Sequence, residues 1–101
     1  MEFSSTVKNG EIIVALEGEL DEKSAAQTRE YLDKILRNER YHRLILDFSS
    51  VDFMDSTGIG VLLGRYKTAT NASVELCVRN LNAQIDKVFR ISGLYQIIKA
   101  V

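Results

Sequence analysis

The sequence has few of the residues that cross-linked or metal-dependent proteins need. Among its 101 residues there is one cysteine, one histidine, no proline and no tryptophan. A lone cysteine excludes an intramolecular disulfide, and no histidine and cysteine cluster offers the ligand spacing of a zinc site. No apolar stretch approaches the roughly 20 residues of a membrane-spanning helix, and the polar first ten residues lack the hydrophobic segment of a secretory signal. We therefore expect a cytoplasmic protein.

The charge is nearly balanced, with 13 basic and 14 acidic residues and a formal net charge of -1. Such a chain has no long-range field, so neither nucleic acid nor an anionic membrane is an expected partner. The length suits a single domain, 1–101, with one core.

The first half of the chain predicts a hairpin, a helix and a strand. Asn9-Gly10 between residues 3–7 and 12–16 is typical of a β-hairpin. Apolar residues at helical spacing up to Arg37 predict an amphipathic helix, with Asp21 or Ser24 as its cap. The apolar run 44–48 predicts a strand covered on both faces. We expect Ser49-Ser50 to turn the chain and 51–54 to return towards the sheet.

The second half alternates helices and strands. A helix from Asp55 is predicted to bury Ile59, Leu62, Leu63 and Tyr66, followed by a half-buried strand at 74–78. Asn80 or Asn82 caps a third helix that ends at Gly93, and 95–101 forms the last strand. The order β-β-α-β-α-β-α-β predicts an α/β fold with a mixed sheet of four to five strands.

Three glycines interrupt the helix pattern of residues 53–67. Each glycine costs a helix interior roughly 1 kcal/mol relative to alanine, so a close approach of the backbone is expected. We expect Gly60 and Gly64, one turn apart, to let the helix sit tightly on the sheet or on another helix. Gly58, in the first turn, would keep bulk away from the hydroxyls of Ser56 and Thr57.

Those hydroxyls follow Asp55 at the start of the helix, where free N–H groups and the positive end of the dipole lie. Two interpretations stay open from the chemistry alone. The three residues are a helix cap and nothing more, or the exposed hydroxyl of Ser56 accepts a phosphate, which helix N-termini favour.

A hydrolase is not expected. The only histidine, His42, opens the strand 44–48, so an extended chain holds it far from Ser56 and beyond the roughly 3 Å reach of a general base. Cys77 lies in an alternating strand and is expected to fill core space. The glycines match neither a dinucleotide-binding nor a P-loop motif.

Residues 53–67 resemble the signature of the STAS domain, in particular that of bacterial sporulation and stress-response anti-sigma factor antagonists. Residues 18–21 and 88–94 resemble two further markers of that family, in the family's order. Members usually carry another helix after the last strand, and this chain stops at Val101. A less covered, apolar sheet face would invite self-association, so we expect a monomer or a weak dimer.

The resemblance implies partner switching, not enzyme activity. The unphosphorylated protein binds an anti-sigma factor that is also a serine kinase, and sigma is released; phosphorylation of Ser56, with Thr57 as the alternative acceptor, ends the binding. A PP2C-type phosphatase reverses the modification, while ATP and Mg²⁺ belong to the kinase and no cofactor is expected here. The alternative within the family is a scaffold, a ligand sensor or an accessory subunit of a lipid transporter. The residues expected to contact the partner are Asp21, Asp55, Ser56, Thr57, Gly58, Arg65 and Lys67, the last two on the exposed side of the second helix. The alternatives are a helix cap for Asp21 and a solvated face for Arg65 and Lys67.

Overall fold

The computed structural model describes residues 1–38 and 40–101, and its elements follow the predicted order. The last strand is much shorter than the predicted 95–101, because a 3₁₀ turn, Leu94–Gln96, precedes it and buries Leu94. The elements are β1 (Glu2–Lys8), β2 (Glu11–Leu20), α1 (Glu22–Leu36), β3 (Arg43–Met54), α2 (Ser56–Asn71), β4 (Glu75–Arg79), α3 (Ala83–Ser92) and β5 (Lys99–Ala100).

The five strands form one mixed sheet in the order β1-β2-β3-β4-β5. β1 is antiparallel to β2, and every later pair is parallel. The predicted hairpin is confirmed: Asn9 and Gly10 both have positive φ, 53° and 77°, as a two-residue turn of the type I′ class requires.

All three helices pack on one face of this sheet. The strands advance in one direction, and right-handed crossovers then place every connecting helix on the same side. The core joins Leu32 of α1, Leu62 of α2 and Phe89 of α3 to strand residues such as Val14 and Leu46. The prediction that both faces of residues 44–48 are covered by helices is therefore wrong.

The opposite face is polar, although Ile45 and Cys77 lie buried at its centre. Arg43 forms ion pairs with Glu11 and Glu75 at 3.1 and 2.7 Å. Long charged side chains can shield apolar groups near them, and Ile45 and Cys77 have at most 5% of their surface exposed. The uncovered face is thus not the apolar surface that was expected to drive self-association.

β3 runs without a turn through Ser49 and Ser50, contrary to the prediction. Relative to β2, β3 has one extra residue after Asp47, where three of its residues match two of β2. It has another after Val51, where two of its residues match one of β2. Two such bulges insert extra residues, so that every third side chain faces the core: Phe48, Val51 and Met54 are buried. β2 likewise extends to Leu20, beyond the predicted 12–16. None of the helices within 1–38 and 40–101 is long and apolar enough to cross a membrane.

Candidate functional site

Two helices begin side by side at the carboxyl ends of β2 and β3. Leu20 and Met54, the last residues of the two strands, are paired in register. The residues that follow them, Asp21 and Asp55, are the N-caps of α1 and α2. The N–H of Asp55 also donates to the carbonyl oxygen of Leu20 at 3.4 Å. The sheet therefore brings two helix N-termini and two capping carboxylates to one edge.

Asp21 makes a capping box with Ser24. Its carboxylate accepts hydrogen bonds from the N–H groups of Lys23 and Ser24, at 3.0 and 3.2 Å. The Ser24 hydroxyl accepts from the N–H of Asp21 and donates to the carbonyl of Glu19 at 2.6 Å. Both candidate caps predicted for α1 thus act together, which fixes the loop between β2 and α1.

Asp55 caps α2 and leaves Ser56 free at the surface. Its carboxylate accepts from the N–H of Thr57 at 2.9 Å. Ser56 is the first residue of the helix and its side chain is exposed, whereas Thr57 is only half-exposed. Of the two hydroxyls, that of Ser56 is the one that a second protein reaches without a change in this fold.

Gly58 is buried, and its role differs from the prediction. A Cβ built on it would lie 2.4 Å from Cγ of Met54 and 3.1 Å from Cγ of Leu20. Bulk at this position would therefore strike the core beneath the site and would not cover the hydroxyls. A Cβ built on Gly60 or on Gly64 would meet nothing within 4 Å, so the predicted close packing at these two glycines is wrong.

The outer face of α2 consists of residues spaced four and three apart, which share one side of a helix. We call it the α2 face: Ser56, Gly60, Leu63 and Lys67, all exposed. Leu63, predicted to be buried, has 37% of its surface exposed. Gly60 has no side chain, so it adds no bulk to the α2 face beside Ser56. Lys67 lies on this face as predicted, about 16 Å from Ser56 at 1.5 Å of rise per residue.

Arg65 points away from that face, contrary to its predicted place on the exposed side. Its Nε lies 2.9 Å from Oδ1 of Asp33 on α1, and its side chain is only 12% exposed. The contact is an ion pair without the alignment of a hydrogen bond. Arg65 therefore joins α2 to α1, and its place nine residues beyond Ser56 is too distant to contact a phosphate there.

Asn82 caps α3, as one of the two predicted candidates. Sequence reasoning missed Gln84 and a second role of Asn82: both side chains take the place of a neighbouring strand. β4 ends opposite Asp47, so one edge of β3 continues beyond it unpaired. The Gln84 amide accepts from the N–H of Met54 at 3.2 Å and donates to its carbonyl at 2.9 Å. Asn82 donates to the carbonyls of Val51 and Asp52 at 3.2 Å. The unpaired part of β3 exists because β3 is longer than β4, and the sequence did not show the lengths of the two strands.

In the described part of the chain, the two candidate nucleophiles Ser56 and Cys77 lack the surroundings of a catalytic group. His42 lies at the opposite end of the twelve-residue β3 from Ser56, several times beyond general-base reach. Burial raises the pKa of the Cys77 thiol to about 11, so it stays protonated at neutral pH. Within the described residues, no cluster of three or more His, Cys, Asp or Glu side chains is arranged to hold a metal ion.

The sequence of residues 2–101 matches the STAS domain. The chain belongs to the STAS domain family. This STAS domain is 34% identical over 88 residues to the anti-sigma F factor antagonist of Paenibacillus polymyxa, covering 87% of this chain and 75% of that protein. It is 35% identical over 100 residues to the anti-sigma-B factor antagonist of Bacillus subtilis strain 168, covering 97% and 90%.

The fold of the STAS domain also resembles that of the Bacillus cell fate determinant SpoIIAA in its phosphorylated form. The TM-score is 0.73 at 27% identity, and the likeness covers 99% of this chain and 91% of that one. The relatives named here are regulatory binding proteins, and this STAS domain is grouped with them and not with enzymes. The predicted family and fold are confirmed.

Proposed function

We propose that this STAS domain is an anti-sigma factor antagonist that is switched off by phosphorylation of Ser56. In its unphosphorylated form it binds an anti-sigma factor with serine kinase activity, so that the sigma factor is released. The kinase transfers the γ-phosphate of Mg-ATP to Ser56, and a PP2C-type phosphatase removes it. The observation that carries the proposal is the exposed hydroxyl of Ser56 at the first position of α2. The names of the relatives support it.

The electrostatics of the site explain how a phosphate would act. The group adds roughly -1.5 to -2 charges at neutral pH, beside the Asp55 carboxylate and close to that of Asp21. Glu19 and Asp52, both at the surface, add to the negative charge of this edge. A partner that contacts the small serine side chain loses that contact, and an acidic group that the partner places beside Ser56 is repelled by the phosphate. Like charges brought together in an interface cost several kcal/mol.

The fold itself has little reason to change on phosphorylation. Ser56 is exposed, and the phosphate would stand at the positive end of the α2 dipole, which favours an anion. Repulsion from Asp55 opposes this, although that carboxylate remains bound to the N–H of Thr57. We therefore place the switch at the binding surface and not in a rearrangement of the sheet.

The docking surface that we propose combines Asp21, Asp55 and the α2 face. Leu63 supplies exposed apolar area, and Lys67 supplies a positive charge at the far end. Gly58 and Arg65 support this surface from beneath. Gly58 lets the start of α2 rest on Met54, and Arg65 holds α2 against α1. Phe53, 39% exposed beside the acidic edge, extends the apolar area.

The proposal is tested by mixing the purified chain with the anti-sigma factor kinase of the same bacterium and Mg-ATP. Wild type should gain one phosphate, located by mass spectrometry on Ser56, and Ser56→Ala should gain none. The matched control is Thr57→Ala, which should still be phosphorylated. Full labelling of Ser56→Ala would contradict the assignment and point to Thr57.

A binding series tests the surface. Leu63→Ala should weaken kinase binding roughly tenfold through lost apolar contact. The control Ile91→Ala removes an apolar side chain that is 75% exposed on α3 and should have no effect. Equal losses for both variants would contradict the docking surface. A stable complex that ATP leaves unchanged would favour the scaffold or transporter-subunit alternative.

A further inference from the structure

β1 is the first strand of the sheet, so one of its long edges is unpaired. Six of its seven residues are exposed, and Val7 has 63% of its surface exposed. Unpaired edges attract other strands, and proteins normally protect them with proline, a bulge, charged side chains or a covering element. The charged residues of β1, Glu2 and Lys8, stand only at its two ends. β1 contains no proline and pairs with β2 in regular register over its whole length.

The sequence of β1 is complementary to itself. In an antiparallel pair of identical strands related by a two-fold axis, two residues that face each other turn their N–H and C=O groups either both toward the shared edge or both away from it. Because this orientation alternates along a strand, the numbers of facing residues differ by an even number. A pair centred on Ser5 places Glu2 opposite Lys8 of the second copy and Phe3 opposite its Val7. Opposite charges and apolar pairs facing each other across strands are both stabilising.

We propose that a second copy of this chain pairs with β1, antiparallel and centred on Ser5, to form one continuous ten-stranded sheet. The neighbouring two-fold registers fit less well. A pair centred on Ser4 sets Glu2 opposite Thr6, and one centred on Thr6 sets Lys8 opposite Ser4. Only the register about Ser5 joins both charged ends and both apolar residues.

The helix side of the edge offers room for the second copy. Phe3 and Val7 lie opposite Leu16 and Ile12 of β2, so they face the layer of helices. Phe3 stacks on Tyr31 of α1, with ring centres 4.3 Å apart. Beside Val7 is an open cavity of about 360 Å³ whose lining includes Tyr31, Ile35 and Tyr41. The second copy sets its Phe3 next to this cavity.

The open side of the edge supplies an electrostatic reason. Glu2 lies opposite Glu17 within the sheet. The hydrogen bond that protonated Glu17 donates to Glu2, and then the negative charge of Glu2, raise the pKa of the Glu17 carboxyl. A lysine placed opposite Glu2 would offset this crowding of acids. The two-fold axis supplies one such lysine at each end of the interface.

The interface is small and separate from Ser56. A single seven-residue strand pair with its flanking side chains falls below the size of a standard stable interface, so the dimer is weak and reversible. Ser56 follows β3, two strands away from this edge, so both copies keep their sites free. The inference therefore does not rest on the proposed function.

Register-specific cross-linking tests the dimer. Directly opposed residues have Cα atoms about 4.5–5.5 Å apart, within disulfide range, whereas residues two places out of register lie about 7–8 Å apart. Ser5→Cys should therefore oxidise to a dimer at least ~10-fold faster than Ser4→Cys or Thr6→Cys. The native Cys77 is buried and does not compete. Equal rates, or a faster control, would overturn the proposed register.

Charge exchange provides a test without cysteine. Sedimentation equilibrium up to about 1 mM protein should show wild-type dimer, weakened roughly tenfold by Lys8→Glu or by Glu2→Lys. The double variant Glu2→Lys/Lys8→Glu should recover the wild-type affinity, with circular dichroism confirming that each variant folds. A monomeric wild type at the highest concentration, or a double variant no better than the single ones, would overturn the proposal.

Discussion

Replacing Gly58 with alanine tests the packing on which the site rests. The added methyl would lie 2.4 Å from Cγ of Met54 and 3.0 Å from its Sδ, where the Met54 side chain is fully buried. Leu20, also fully buried, blocks a further direction at 3.1 Å. Both side chains are fully buried in the core, so we expect the methyl to displace them or to shift the start of α2 away from β3.

The magnitude follows from two opposing effects. Overpacking a well-packed core costs about 1–3 kcal/mol. Replacing glycine in a helix gains up to about 1 kcal/mol. We expect Gly58→Ala to lower the free energy of unfolding by about 1–2 kcal/mol. Gly60→Ala is the matched control, because its methyl meets nothing within 4 Å and only the helix gain remains, about 0.5–1 kcal/mol.

Urea unfolding followed by circular dichroism measures both variants. Opposite signs are expected, with the midpoint of Gly58→Ala below that of wild type and the midpoint of Gly60→Ala above it, at unchanged slope. Thermal midpoints should differ by about 5 °C or more between the two variants. A Gly58→Ala protein as stable as Gly60→Ala would refute the close approach of α2 to Met54.

Two further predictions concern the side chains that hold β3. Burial alone would raise the pKa of Asp47, but the N–H of Ser49 and the side chains of Asn80 and Arg79 lower it below 3.8. The ionised Asp47 carboxylate therefore contributes to the free energy of unfolding above pH ~4, and this contribution is lost as the pH falls through the lowered pKa. Asp47→Asn should lower the free energy of unfolding by about 1–3 kcal/mol at pH 7 and make it depend less steeply on pH in the acid range. An equally steep acid transition in the variant would contradict this. Gln84→Ala should cost about 1 kcal/mol and speed hydrogen exchange at the Met54 amide, and unchanged exchange would contradict the clamp.

Local signals in the sequence predicted most of the elements. Asn9-Gly10 favours one type of two-residue turn, and Asp21 and Asn82 were among the predicted helix caps. The structure has the turn and both caps at these residues. The exposed serine followed from its place beside the cap Asp55. Residues whose conformation depends on their nearest neighbours were predictable in this sense.

The failures concern contacts between distant segments. Ser49-Ser50 reads as a turn because it interrupts an apolar run, yet two bulges let the strand continue with a period of three. The three glycines of α2 look alike in sequence, but only Gly58 meets a neighbour, and that neighbour is set by the pairing of β3 with β2. Arg65 reads as a surface cation until α1 is placed beside it. Sequence spacing holds no information on these partners.

The most direct test of the central claim compares two forms of the same chain. The kinase partner, without nucleotide, is titrated with the unphosphorylated protein and with protein carrying a phosphate on Ser56. We predict binding weaker by roughly 100-fold for the phosphorylated form, with an unchanged circular dichroism spectrum. Equal affinities for the two forms would contradict the switch, and a phosphorylated protein that unfolds would show that Ser56 is structural.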